Sequence, residues 1–181
     1  GVDQAQVLLT MFDKDKSPYM GDPRQVLQAL VNRFSEKSLR PCMAVELEFS
    51  LLPKPETNES IGSALKNQNT VGGNLYALSE LDYHGPLLEA LRQAFKTQDL
   101  PYEGIVKESA PSQFEINVAH SNDTMLLADQ VIRMQRTIRS VAARHGFVAS
   151  FMPKPIDDEA GNGLHVHCSL LEDSLETPTL S

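Results

Sequence analysis

Met43 to Leu52, MAVELEFSLL, decides the fold class: Val45, Leu47 and Phe49 alternate with Glu46, Glu48 and Ser50, the period-2 pattern of a strand with one apolar and one polar face. Both glutamates project from the same side of that strand. Gln113 to Ala119 (QFEINVA) repeats the pattern, with Phe114, Ile116 and Val118 on one face and Gln113, Glu115 and Asn117 on the other. Phe147 to Met152 (FVASFM) and Leu164 to Leu171 (LHVHCSLL) read as further strands, and Val7 to Phe12 (VLLTMF) as a short apolar one.

Helices lie between these strands. Asp22 is a good N-cap and Pro23 suits a first helical position, and Val26, Leu27, Leu30, Val31 and Phe34 follow at helical spacing, so a helix is predicted over Asp22 to Lys37. Pro86 opens a second, running to Thr97 with Leu87, Leu88, Leu91, Ala94 and Phe95 on one side. The longest spans Asp123 to His145, with Leu127, Val131, Met134, Ile138 and Val141 in register and Gly146 placed to end it. Pro53 to Gly73 is rich in Pro, Asn, Ser and Gly and reads as a long surface loop or disordered insertion. The predicted class is α+β, an antiparallel sheet whose polar face carries the site and whose other face is covered by helices.

The 181 residues suffice for one domain with a hydrophobic core. Apolar residues at 41% and charged residues at 22% exclude wholesale disorder. A net charge of −8 argues against nucleic acid and anionic membranes as partners, since both recruit basic faces. No apolar run approaches the roughly 20 residues of a membrane span, and no signal-peptide pattern opens the chain, so a cytoplasmic location is expected. Cys42 and Cys168 have no metal-binding spacing and are expected to be free thiols in a reducing compartment.

Five features could carry chemistry: Glu46 with Glu48, Glu108, Glu115, the Gly161-Asn162-Gly163 turn, and His165 with His167. Each alone has a plain reading, since paired strand glutamates usually form a solvated face and a Gly-Asn-Gly turn serves any hairpin. Together they differ. Packed side by side, these strands would build one acidic surface whose like charges oppose folding unless a cation neutralises them. Carboxylates with an imidazole favour Mg²⁺ or Mn²⁺ over a thiolate-selected metal.

ELEF at Glu46 to Phe49, QFEIN at Gln113 to Asn117, SFMPKP at Ser150 to Pro155 and GNGLHVHCSL at Gly161 to Leu170 resemble, in order and spacing, the glutamine synthetase catalytic domain. KESAPSQFEIN and the YALSELD segment at Tyr76 to Asp82 are similar to its γ-glutamylpolyamine synthetase-like branch. The resemblance implies that residues 1–21 are the end of an N-terminal β-grasp region with a linker, and 22–181 the first half of the catalytic domain. It implies an ATP-dependent ligase that joins the glutamate γ-carboxylate to ammonia or an amine, homo-oligomeric at full length. Glu48, Glu108 and Glu115 would hold one divalent ion, and Glu46 and His165 a second that faces the ATP phosphates. His167 would approach those phosphates, Ser169 the adenine, and Gly161 the glutamate substrate. Two departures stand out: Ala160 precedes Gly161 where ammonia-using members usually carry Asn, and the family's C-terminal half is not in this sequence. The fragment alone is therefore expected to be inactive and to leave apolar surfaces uncovered. A catalytically silent structural or assembly module is the alternative. An unrelated metal-dependent hydrolase stands below both, since no His-Glu-x-x-His motif occurs.

Overall fold

The computed structural model describes residues 5–54 and 75–172. The loop expected over Pro53 to Gly73 lies almost wholly outside the described residues. Among the described residues nine elements follow in order: α1 (Pro23–Ser35), β1 (Leu39–Pro53), α2 (Leu78–Tyr83), α3 (Gly85–Thr97), β2 (Tyr102–Lys107), β3 (Gln113–Ser121), α4 (Thr124–Arg144), β4 (Phe147–Ser150) and β5 (Leu164–Glu172). The five strands form one sheet in the order β2-β3-β1-β4, with β5 also paired to β1. The β1–β4 and β2–β3 pairs are antiparallel. Contacts divide the chain into two units, residues 1–43, 121–129 and 168–181 in one, and residues 44–120 and 130–167 in the other.

The second unit holds most of the core. Val45, Leu47, Phe49 and Leu51 of β1 and Phe114, Ile116 and Val118 of β3 are buried, as the alternation predicts. Phe49 lies 6.1 Å from Phe114 and 5.8 Å from Phe151, ring centre to ring centre. Met134, Ile138 and Val141 of α4 and Leu87, Leu91 and Phe95 of α3 are fully buried on their helical stripes. The C-terminus of α3 is tied to α4 by Gln98 Nε2, which donates to Thr137 Oγ1 at 3.0 Å. Gly146 follows α4 at φ 82°, the left-handed conformation in which a glycine ends a helix without strain.

The first unit contains α1, whose Asp22 cap accepts a hydrogen bond from the Arg24 N–H. Arg24 also reaches Asp129 with two guanidinium nitrogens, at 3.1 and 2.9 Å. Val26 and Leu30 of the predicted apolar stripe are exposed, as are Leu164, Val166 and Leu170 along β5. Uncovered apolar faces of this kind were the expectation for part of a domain.

Two expectations need correction. Val7 to Phe12 is not a strand: Val7, Leu9, Met11 and Phe12 are exposed, and Phe12 makes only an isolated bridge to Pro18. An apolar run needs a neighbour to pair with, and here the main chain of Met11 is claimed by the side chains of Asp22 and Gln25. The short helix α2 was not anticipated, because Leu78 and Tyr83 of its six residues are exposed and leave no apolar period to read. Cys42 and Cys168 are free thiols, as expected.

Candidate metal centre

Every candidate residue except Ser169 belongs to the second unit. β1 supplies Glu46 and Glu48, the end of β2 leads into Glu108, β3 supplies Glu115, and β5 supplies His165 and His167. Glu46, Glu115 and His165 each place one ligand atom within 4.8 Å of the others, and among the described residues this is the group so arranged. His165 Nδ1 lies 3.0 Å from Glu46 Oε2 and 3.9 Å from Glu48 Oε1, and His167 Nε2 lies 3.0 Å from the other Glu46 oxygen. Glu46 thus meets both histidines, as the pleat of β5 allows for residues two apart.

The Glu115 carboxyl is pushed above its usual range, first by burial and then by the charges of Glu46, Glu108 and Glu48. All four carboxylates therefore act on one region. Oxygen donors with a single imidazole fit a hard or borderline divalent cation, which would also relieve that repulsion. The tight group unites Glu115 with Glu46 and His165, across the division between two metals that the resemblance implies. Ser169, in the first unit, donates to the Cys42 carbonyl at 3.5 Å.

The turn before β5 is fastened by its own asparagine. Asn162 Nδ2 donates to the carbonyls of Ser150 and Met152, at 3.2 and 2.9 Å, and its Oδ1 accepts from Ser50 Oγ at 3.0 Å. The flanking glycines permit close approach to the protein itself. A Cβ at Gly161 would sit 2.3 Å from the Pro153 carbonyl oxygen, and one at Gly163 would sit 2.8 Å from Glu48 Oε1. Gly161→Ala must displace backbone, so it is expected to destabilise the chain by about 1–3 kcal/mol. A denaturant midpoint equal to that of the parent would contradict this.

Several buried polar residues escaped sequence reasoning. Gln113, Lys107, Glu80 and His84 are all buried, and each hydrogen-bonds the segment between β2 and β3, with Gln113 also reaching Glu48 and the Gly161 carbonyl. Only Gln113 left a signal, its place on the polar face of β3 beside Glu115.

Residues 20–179 match the family described as glutamine synthetase, catalytic domain, and the chain belongs to that family. It is 34% identical over 170 residues to gamma-glutamylputrescine synthetase PuuA of Escherichia coli (strain K12), covering 91% of this chain and 36% of that protein. It is 36% identical over 172 residues to type-1 glutamine synthetase 1 of Dictyostelium discoideum, covering 91% and 34%. A solved GmaS/ADP complex superposes with a TM-score of 0.76 at 25% identity, over 88% of this chain and 36% of that one. The chain thus spans about a third of the length of these relatives. The likeness to both the polyamine-related branch and glutamine synthetases agrees with the motifs, and the antiparallel α+β architecture is the one expected. No helix among the described residues is long and apolar enough to cross a membrane.

Proposed function

We propose that this chain is the metal-holding part of an ATP-dependent carbon–nitrogen ligase that joins the γ-carboxylate of glutamate to ammonia or an amine. The observation that carries the proposal is the convergence of Glu46, Glu115 and His165 within 4.8 Å on an acidic sheet face. Family membership supports the reaction class, and relatives named for glutamine, γ-glutamylputrescine and isopropylamine ligation support a glutamate substrate with a variable amine.

In this reading a γ-carboxylate oxygen takes the terminal phosphoryl group of ATP and ADP leaves. The amine nitrogen then attacks the acyl carbon, and phosphate leaves as the amide forms. Bound Mg²⁺ or Mn²⁺, at two sites in the family's pattern, would neutralise charge on the transferring phosphoryl group. Glu46, Glu115 and His165 would hold such an ion, with Glu48 and Glu108 completing the acidic set. Glu46, 3.0 Å from His167 Nε2, would orient that imidazole, which the resemblance sets near the nucleotide phosphates. Roles for Ser169 beside adenine and Gly161 beside glutamate rest on the resemblance alone, as do the cytoplasmic location and the homo-oligomeric state.

Calorimetric titration of the chain with Mn²⁺ is expected to give saturable heat that disappears in the Glu115→Ala, His165→Ala double variant. Absence of heat in the parent, or equal heat in the double variant, would refute the metal centre. A silent assembly module would bind the ion yet release no phosphate from ATP when extended to the relatives' length and supplied with glutamate and an amine.

A further inference from the structure

Gln113 is 1% exposed, and its side-chain amide joins three segments of the chain. Nε2 donates to Glu48 Oε2 at 2.8 Å and to the Gly161 carbonyl at 2.9 Å, and lies 3.3 Å from Asn162 Oδ1. Oε1 accepts from the Ala110 N–H at 2.9 Å. The orientation of the amide follows from this chemistry. A flipped amide would set its oxygen against a carboxylate and a carbonyl, and its NH₂ against the N–H of Ala110. The main chain of Gln113 fastens the same loop, accepting from the Glu108 N–H at 2.9 Å and donating to the Ala110 carbonyl at 3.1 Å.

Glu48 needs such a partner, being only 8% exposed and bearing a charge that acts on Glu115. A lysine in that place would satisfy it too, but would cancel charge that a cation requires. A neutral amide hydrogen-bonds Oε2 and leaves the negative charge intact. Oε1 is then left on the side of Gly163 and His165.

We infer that Gln113 is a positioning residue for the metal centre: it anchors one oxygen of Glu48, presents the other to the bound ion, and ties the Gly161 turn and the Glu108 loop to that carboxylate. This rests on the metal-centre reading of the preceding subsection. A hydrogen-bonded partner behind a metal ligand typically changes metal affinity about 10–100-fold when removed.

The test is Mn²⁺ affinity, read from the electron paramagnetic resonance signal of free Mn²⁺, in Gln113→Met, Gln113→Glu and each combined with Glu48→Gln. Both single variants are expected to bind about 10–100-fold more weakly than the parent while keeping its far-ultraviolet circular dichroism. In the Glu48→Gln background the further substitution is expected to change affinity by less than about 3-fold, because its route of action is already lost. If one substitution prevents folding, the other decides. In the unmodified protein, the Gln113 side-chain amide resonances are expected to move when Mg²⁺ is added. Parent-like affinity in a folded variant, additive losses in the double variant, or amide resonances that ignore Mg²⁺ would each overturn the inference. A parent chain that binds no Mn²⁺ would instead remove the metal centre itself, a different result.

Discussion

Lys107→Met is expected to destabilise the chain by about 3–5 kcal/mol, the cost of leaving a buried charge without its partner. Lys107 is 1% exposed. Its ammonium donates to the carbonyls of Glu108 and Ala110 and lies 3.4 Å from Glu80 Oε2. Glu80 is buried as well, and its Oε2 accepts from the Ser112 N–H at 2.6 Å while Oε1 has no hydrogen-bond partner among the described residues. Methionine keeps most of the lysine's volume but abandons a carboxylate and two carbonyls at once. The Lys107→Met, Glu80→Leu double variant should recover much of the loss, because a well-packed apolar pair can replace a buried ion pair at little cost. Urea unfolding measures both. A single variant within about 1 kcal/mol of the parent, the centre of the range for ordinary point substitutions, would show that this pair does not hold the loop.

The second large effect is a loss of stability in acid. His84 is 2% exposed, its Nε2 lies 3.0 Å from Ser112 Oγ, and it packs edge-on against Phe114 and Phe147. Burial, followed by the positive charge of Lys107, pushes its pKa from 6.5 down to about 4. Between those values the unfolded chain takes up a proton that the folded chain refuses. The stabilisation is complete above the unfolded value and is lost as pH falls from about 6.5 toward 4, for a total of about 3 kcal/mol. Glu115 works in the opposite direction, since protonating a carboxyl with a raised pKa relieves the folded state. His84→Gln isolates the histidine: its unfolding free energy should fall by about 3 kcal/mol less than the parent's between pH 7 and pH 4. Parallel pH profiles for the two proteins would sink this account.

The strands that carry the site were legible because they obey period-2 alternation. Glu46, Glu48 and Glu115 stand opposite Leu47, Phe49 and Phe114, and both sets lie where the pattern predicts. Glu48 is nonetheless buried rather than solvated, since its face is covered by Gln113 and the Gly161 turn. No local pattern encodes that cover, because Glu48 and Gln113 are 65 residues apart. The buried Lys107–Glu80 pair was illegible for the same reason, and it also defies the expectation that lysine and glutamate lie outside. The Gly161-Asn162-Gly163 segment was legible as a tight turn, and its glycines prove to be points of close approach within the protein itself. The approaching groups are the Pro153 carbonyl and the Glu48 carboxylate, which only three-dimensional structure can name.

The asparagine between those glycines separates two design problems. The main-chain N–H of Asn162 bonds the Pro153 carbonyl at 2.9 Å, and its side chain grips Ser150 and Met152, so the path leaving β4 and the path entering β5 are clasped together. Residues 154–160 lie between the clasped ends, so substitutions there are expected to leave His165 and Glu48 in place. Ala160 falls within that stretch, outside the clasp that sets the path from β4 to β5.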